Sequence, residues 1–360
     1  MNKHNIWSVD WGLIIPTLIL LMLSLTALFS ISSSFFKTQL FFVGISILIF
    51  FIFSNVNYKI IQFYKVHIYA VSIVLLFLVL ILGIGSHGSV RWFEFLGFRI
   101  QFSEILKPFL AVSFSAFLAS RKNLNFSTLA TIGLLLFPIV FLIFLQPDLG
   151  DALIYFIVTI LTLIIVGYPF RFFLAGIIFL SSIIPIFWHF LHTYQRQRIS
   201  SFINPNIDPL GTSYNSIQSI IAIGSGMILG KGFGQGTQSS LRFLPEHHTD
   251  FIFATITEDL GFVGTLIILV TFGFLLYRIF VIFKNSDDRF SKTFSSVVFF
   301  IILVQFFANV GMNSGLLPVV GITLPFVSYG GSSLLSNFII LGLLSSISKS
   351  LKDREIIEIK

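Results

Sequence analysis

The segment LPEHHTDFIFATITEDLGFVG sets Glu246, His247, His248, Asp250, Glu258 and Asp259 against an apolar run. Acids beside hydrocarbon are costly, so they are kept for function or hidden in a packed interior. Asp250 stands at the mouth of that run and suits a general base, which must be ionised, positioned and close to its proton donor. Glu246 is a second acid of the same kind. The neighbouring His247 and His248 invite a metal reading, but adjacent histidines rarely point at one metal and no HExxH spacing is present. A structural alternative stands beside catalysis: Thr249 and Asp250 could cap the helix that follows.

Cations that could face an anion are spread along the chain. HGSVRWFEFLGFRIQFSEILKP interleaves Arg91, Trp92, Glu94, Arg99, Glu104 and Lys107 with aromatic and apolar residues. It is too polar for a span and too apolar for a free loop, and is expected at the membrane interface. Its arginines either snorkel to phosphates as an anchor or form an anion-binding wall, because guanidinium forks match phosphate geometry. In YQRQR, Arg196 and Arg198 point the same way only on an extended chain and diverge on a helix. LQPDLGD places Asp148 and Asp151 in a helical first turn, where the dipole alone accounts for them. The Gly-rich stretch around Lys231 is no Walker loop, since Ser225 and Gly232 occupy positions that need Gly and Ser or Thr. Its small residues fit close backbone approach.

The elements that carry these groups follow from composition. The 360 residues are 56% hydrophobic and 10% charged, with 46 Phe, and the mean hydropathy is +0.96. These values describe an all-α, polytopic membrane protein. Runs long enough to cross a bilayer lie near 9–31, 38–55, 66–84, 104–120, 127–146, 149–168, 170–190, 249–280, 293–317 and 326–348, about ten spans. A long connection, 191–248, separates spans seven and eight, and 1–360 reads as a single membrane domain. The first run is too long for a cleavable signal and is expected to stay as a span. Without Cys, thiolate chemistry and Cys-based metal sites are excluded. The net charge of +7 reflects Lys/Arg bias in loops rather than nucleic-acid binding. With both termini cytoplasmic, fourteen Lys and Arg lie inside and eight outside, the expected orientation. Most acids and nearly all Gly/Pro-rich loops then fall on the outer side, where irregular backbone must line a cavity or be buried in protein.

In order along the chain, five motifs resemble the SEDS family of polytopic peptidoglycan glycosyltransferases: Gly88-Ser89 with Arg91-Trp92, QPDLG, YQRQR, PEHHTDFIFA and LPFVSYGGSS. GLLPVVG and NVGM are similar to its elongation branch, RodA; Thr323 is closer to the division branch, FtsW. Phe102 stands where the family has Pro in QPSE, TEDLG replaces GEELG, and Asn215 replaces Gln. The resemblance implies polymerisation of lipid II on the outer face of the bacterial inner membrane during cell elongation. An α-linked undecaprenyl diphosphate is displaced with inversion to give a β-1,4 bond, which needs one base and cations for the departing diphosphate. It also implies Asp250 as the essential acid. Arg91, Arg99, Arg196, Arg198 and Lys231 are then candidates for the diphosphate and Trp92 for sugar or lipid packing. Glu104, Lys107, Glu246 and His248 complete the substrate-binding set. A divalent cation, Mg or Mn, could bridge diphosphate and acid. The implied partners are a class B penicillin-binding protein transpeptidase and other elongation-complex membrane proteins; along spans eight and nine, Phe-rich faces such as Phe299, Phe300, Phe306 and Phe307 could serve lipid or protein equally. A lipid-linked precursor flippase and a structural scaffold for cell-wall synthases are the competing readings. A flippase needs polar residues reaching both sides, and a scaffold needs no acid at a helix mouth.

Overall fold

Apolar runs in lipid must satisfy every backbone group internally, which leaves helices as the way across. The computed structural model describes residues 9–358 except 87–88, 96, 122–124, 192, 205–207, 210, 212 and 242. Gly88 of the first motif, Arg242, Lys3, Lys122, Lys360 and part of INPNIDPLG therefore lie outside the described residues. Helices α1 (Trp11–Ile31), α2 (Ser33–Asn55), α3 (Tyr58–Phe63) and α4 (Lys65–Leu82) lead into three strands, β1 (Ile84–Ser86), β2 (Ser89–Phe95) and β3 (Phe98–Gln101). Then come α5 (Phe102–Ile105), α6 (Lys107–Ala119), α7 (Phe126–Leu145), α8 (Leu149–Val166) and α9 (Phe170–Phe190). The connection holds α10 (Thr193–Ile203), α11 (Tyr214–Ser225) and α12 (Thr237–Ser240) before α13 (Ile252–Asn285), α14 (Arg289–Asn313) and α15 (Gly331–Glu358).

Among the described residues, nine helices are long and apolar enough to cross a membrane, with α5 and α6 counted as one. They fall on nine of the ten expected spans. The remaining one, 170–190, is helical as α9. Polar side chains set the helix starts: Asp10, Ser32, Asn57, Asn125, Asp148 and Asp288 each accept a backbone N–H of the first turn. At the end away from Asp250, the Arg278 guanidinium donates to both oxygens of buried Asp10, at 3.0 and 3.1 Å from Nε. That pair ties α1 to α13, and α15 packs along α2. Of the Phe residues expected to face lipid or protein, Phe300 and Phe306 are 7% and 6% exposed and belong to the core, whereas Phe307 is 60% exposed.

The stretch expected at the interface folds into a small antiparallel sheet, with Trp92 opposite Gln101 and Glu94 opposite Arg99. The connection 191–248 is not an open loop either. Helix α13 breaks at Gly261, where φ is 65° and ψ is −154°, and the chain after α11 is stitched into the gap. Phe262 and Val263 donate to the carbonyls of Met227 and Ile228 (2.8 and 3.2 Å), while Lys231 and Gly232 donate to those of Glu258 and Asp259 (both 3.0 Å). These four bonds supply partners for two N–H groups and two carbonyls at the break, as backbone beside a membrane requires. Only glycine fits the contact: a Cβ on Gly226 would lie 2.0 Å from the Thr257 carbonyl and one on Gly230 2.1 Å from that of Asp259. The close approach expected of this small-residue stretch is thus realised.

Candidate functional site

Residues 245–251 form a tight turn ahead of α13, with Glu246 in the left-handed region at φ 50°. Its carbonyl accepts the N–H groups of Thr249 and Phe251, each at 3.2 Å. The helix begins at Ile252 behind Phe251, without a side-chain cap. The capping role considered for Thr249 and Asp250 is therefore not taken up. Instead the main chain of Asp250 is clamped. Its carbonyl accepts from Asn309 Nδ2 at 3.0 Å and Asn313 Nδ2 at 2.9 Å. Asn313 Oδ1 also accepts the N–H of Ala254 at 3.2 Å, and Asn309 Nδ2 reaches the carbonyl of Ile322 at 2.7 Å. Two buried amides on α14 thus hold the head of α13 and the loop 314–330 together.

That loop closes over the acid. Ser328 Oγ donates to the Thr249 carbonyl at 2.7 Å, and the Tyr329 N–H to that of His248 at 3.0 Å. Gly321, at φ 74°, comes so near that a Cβ there would stand 3.4 Å from Asp250 Oδ2. The loop also presses on the head of α8, where a Cβ on Gly150 would meet the Val320 carbonyl at 2.8 Å. Both positions need glycine, one for its φ and one for the close approach.

Across from Asp250 lies the β2–α8 cluster. Arg91 Nε donates to the Gln146 carbonyl at 3.2 Å and Nη2 to that of Pro147, and Nη1 stands 3.8 Å from Asp148 Oδ1. Asp148 caps α8 by accepting the Asp151 N–H at 3.3 Å, so the structural account of that acid holds. Its other oxygen takes Gln101 Nε2 at 2.7 Å. Beneath it, Lys107 bridges Glu104 (2.8 Å) and Asp151 (2.7 Å). Lys107 is 2% exposed and lines a pocket of 280 Å³ whose lining includes Tyr155 and Ile154 but not Asp250.

The field at Asp250 sums these groups. Burial first, then the charge of Glu246, push its carboxyl up to about 6; Arg198 and Arg91 pull the other way, and Asp148 adds to the rise. Asp148 is likewise pushed up to about 6 by burial and by Asp151. Burial lowers His248, which is therefore neutral at pH 7. Among the described residues no hydrogen bond or ion pair reaches the half-buried Asp250 carboxylate. A half-buried acid with a fixed main chain, an open side chain and a pKa near neutrality can accept a proton from a bound hydroxyl.

The candidates from sequence separate into those that share this field and those that do not. Asp250, Arg91, Arg198 and Glu246 come together. Arg196 and Arg198 lie on α10 and diverge, as helical spacing demands. Arg196 Nη2 bonds back to the His189 carbonyl at 2.7 Å. Lys231 pairs with Glu258 at 3.1 Å, two turns along α13. Glu258 is fully buried and also accepts Gln238 N, Ser239 N and Ser239 Oγ at 3.0, 3.1 and 2.8 Å, which accounts for it structurally. Arg99 is exposed on the outer strand, and strand alternation puts Trp92 on the sheet face opposite Arg91. The His248 ring stacks on Phe35 at 4.2 Å. Asn309 enters the sequence reading only as the first residue of NVGM, and Asn313 does not enter it; neither is expected there as a site residue. Their signal was two amides one helical turn apart within a Phe-rich span.

A model of the FtsW/RodA/SpoVE cell cycle protein family matches residues 5–353. The chain is 35% identical over 359 residues to the peptidoglycan glycosyltransferase MrdB of Escherichia coli (strain K12), covering 96% of each. It is 36% identical over 360 residues to stage V sporulation protein E of Bacillus subtilis, covering 95% of this chain and 97% of that one. Its fold is similar to a chain from a structure of a peptidoglycan synthase complex that coordinates polymerization and crosslinking, with TM-score 0.84, 29% identity and 95% and 98% coverage. The rod shape determining protein RodA of Thermus thermophilus superposes with TM-score 0.73 at 27% identity, covering 95% of this chain and 97% of that one.

Proposed function

The chain belongs to the FtsW/RodA/SpoVE cell cycle protein family, and from that premise we propose that it polymerises lipid II with Asp250 as the general base. It is an integral membrane protein and a peptidoglycan glycosyltransferase. In the proposed step, Asp250 takes the proton of the acceptor sugar 4-hydroxyl as that oxygen attacks the anomeric carbon of the lipid-linked glycan. The bond from that carbon to the diphosphate breaks as the new one forms on the opposite face, so the α-linkage becomes β-1,4. The electron pair leaves on the diphosphate, where Arg91 and Arg198 offset the growing charge. Any Mg or Mn ion in this step would take most of its ligands from the diphosphate, because among the described residues no three acidic, His or Cys side chains converge as a metal site.

The Asp250 carboxylate, half-buried and without a partner among the described residues, on a main chain doubly clamped by Asn309 and Asn313 carries this reading. Purified protein with lipid II in detergent tests it: wild type is expected to make glycan strands, and folded Asp250→Asn none. Equal polymer from both would overturn the assignment. The elongation role is supported by GLLPVVG, NVGM and the end-to-end match to MrdB. An extracytoplasmic active site with cytoplasmic termini is supported by the Lys/Arg distribution. A class B penicillin-binding protein as partner is supported by the likeness to a peptidoglycan synthase complex; other elongation-complex membrane proteins belong to the same proposal.

A further inference from the structure

At the end of the bundle away from Asp250, a pocket of 270 Å³ opens between the ends of α6, α8, α13 and the start of α14. Three cations line it: Arg121, Arg289 and Lys292. They come from two separate connections and are drawn together. Arg289 Nη1 donates to the Arg121 carbonyl at 3.2 Å, the Arg121 guanidinium lies 4.8 Å from the Phe117 ring centre, and Lys292 Nζ lies 5.7 Å from that of Phe283. Among the described residues no carboxylate lines the pocket. The nearby Asp288 is turned to its own helix start and to Tyr58, accepting from Ser291 N at 2.9 Å and Tyr58 Oη at 3.3 Å. Among the described residues none of the three cations has an acidic partner. The buried Tyr168 hydroxyl, without a hydrogen-bond partner among the described residues, packs in one cluster with Leu118 and Val166 of the pocket lining.

Charge bias in loops explains cations at this end of the molecule. It does not explain three of them converging on one concave site that no acid lines among the described residues. We propose that this pocket binds the phosphate headgroup of an anionic phospholipid in the leaflet opposite the Asp250 site. The cations supply the recognition. Leu118, Ile165, Val166 and Phe283 continue the site into the membrane span, which fits an acyl chain and not a free ion.

Native mass spectrometry of the purified full chain tests this, titrating phosphatidylglycerol against phosphatidylcholine, with inorganic phosphate as competitor. Wild type is expected to hold phosphatidylglycerol about a hundredfold tighter, at roughly fivefold for each of the three cations near a membrane surface, and Arg121→Gln/Arg289→Gln/Lys292→Gln to lose that preference. All three positions are exposed, so the variant should fold; Lys284→Gln, at the same end but outside the pocket, should keep the preference. Equal affinity for both lipids in wild type would overturn the proposal, as would an unchanged preference in the triple variant or loss in Lys284→Gln. Complete displacement by inorganic phosphate would overturn the lipid assignment in favour of a soluble anion.

Discussion

At the scale of the residue, the chemistry of Asp250 depends on a balance of charges that single substitutions can tip. A carboxyl pushed up to about 6 is ionised by about nine-tenths at pH 7 and about one-tenth at pH 5. Polymerisation by the proposed base is therefore expected to fall about tenfold per pH unit below the pKa. Glu246→Gln removes a negative neighbour, favours the ionised form and moves this acid limb to lower pH. Arg198→Gln removes a positive one and moves it to higher pH. Profiles of kcat/KM against pH for the three proteins check both directions; coincident limbs would show that Asp250 does not control the rate. His248, which sequence alone offered to substrate or metal, is neutral and stacked on Phe35.

At the scale of the element, the site is held by places where helices are interrupted or clamped. The break in α13 at Gly261 lets residues 226–232 dock by main-chain bonds, and Glu258 pins the following turn to Lys231. Asn309 and Asn313, one turn apart on α14, fix the head of α13. An alanine at position 313 leaves the carbonyl of Asp250 and the N–H of Ala254 short of a partner, a cost of about 1–3 kcal/mol for a buried group. Asn313→Ala is expected to lower the thermal midpoint and to reduce kcat about tenfold or more with KM little changed, since a small misplacement of the base costs rate before binding. A rise in KM at unchanged kcat would instead place Asn313 at the substrate.

At the scale of the whole molecule, buried charge ties distant parts of the chain into one body. Lys107 between Glu104 and Asp151 joins the α5–α6 span to α8, and Asp10 joins the start of the chain to α13 through Arg278 and to α15 through Ser348. Removing one member of such a set strands the others, at about 3–5 kcal/mol. Lys107→Met is therefore expected to fold poorly. The neutral set Lys107→Met/Glu104→Gln/Asp151→Asn should recover most of the thermal stability and make polymer within a few-fold of wild type. A triple variant that melts like wild type but makes no polymer would restore Lys107 to the substrate-binding role expected from sequence.

Hydropathy and spacing determined the spans, because a chain in lipid must close its own hydrogen bonds and that demand is written in runs of about twenty apolar residues. The order of short motifs determined the family and singled out Asp250 as an acid at a helix mouth. Sequence could not tell a working charge from a structural one. Glu258, Asp259, Glu104 and Lys107 share the residue types of Asp250 and Arg91, and which of them is spent depends on partners far along the chain. Lys231 reaches Glu258 across 27 positions, Asp10 reaches Arg278 across 268, and the Asn clamp reaches Asp250 across 59 and 63. Only the tertiary packing decided that Glu258 and Lys107 are consumed in pairs while Asp250 is left open, because pairing and burial belong to the helices that meet and not to the segment that carries the charge.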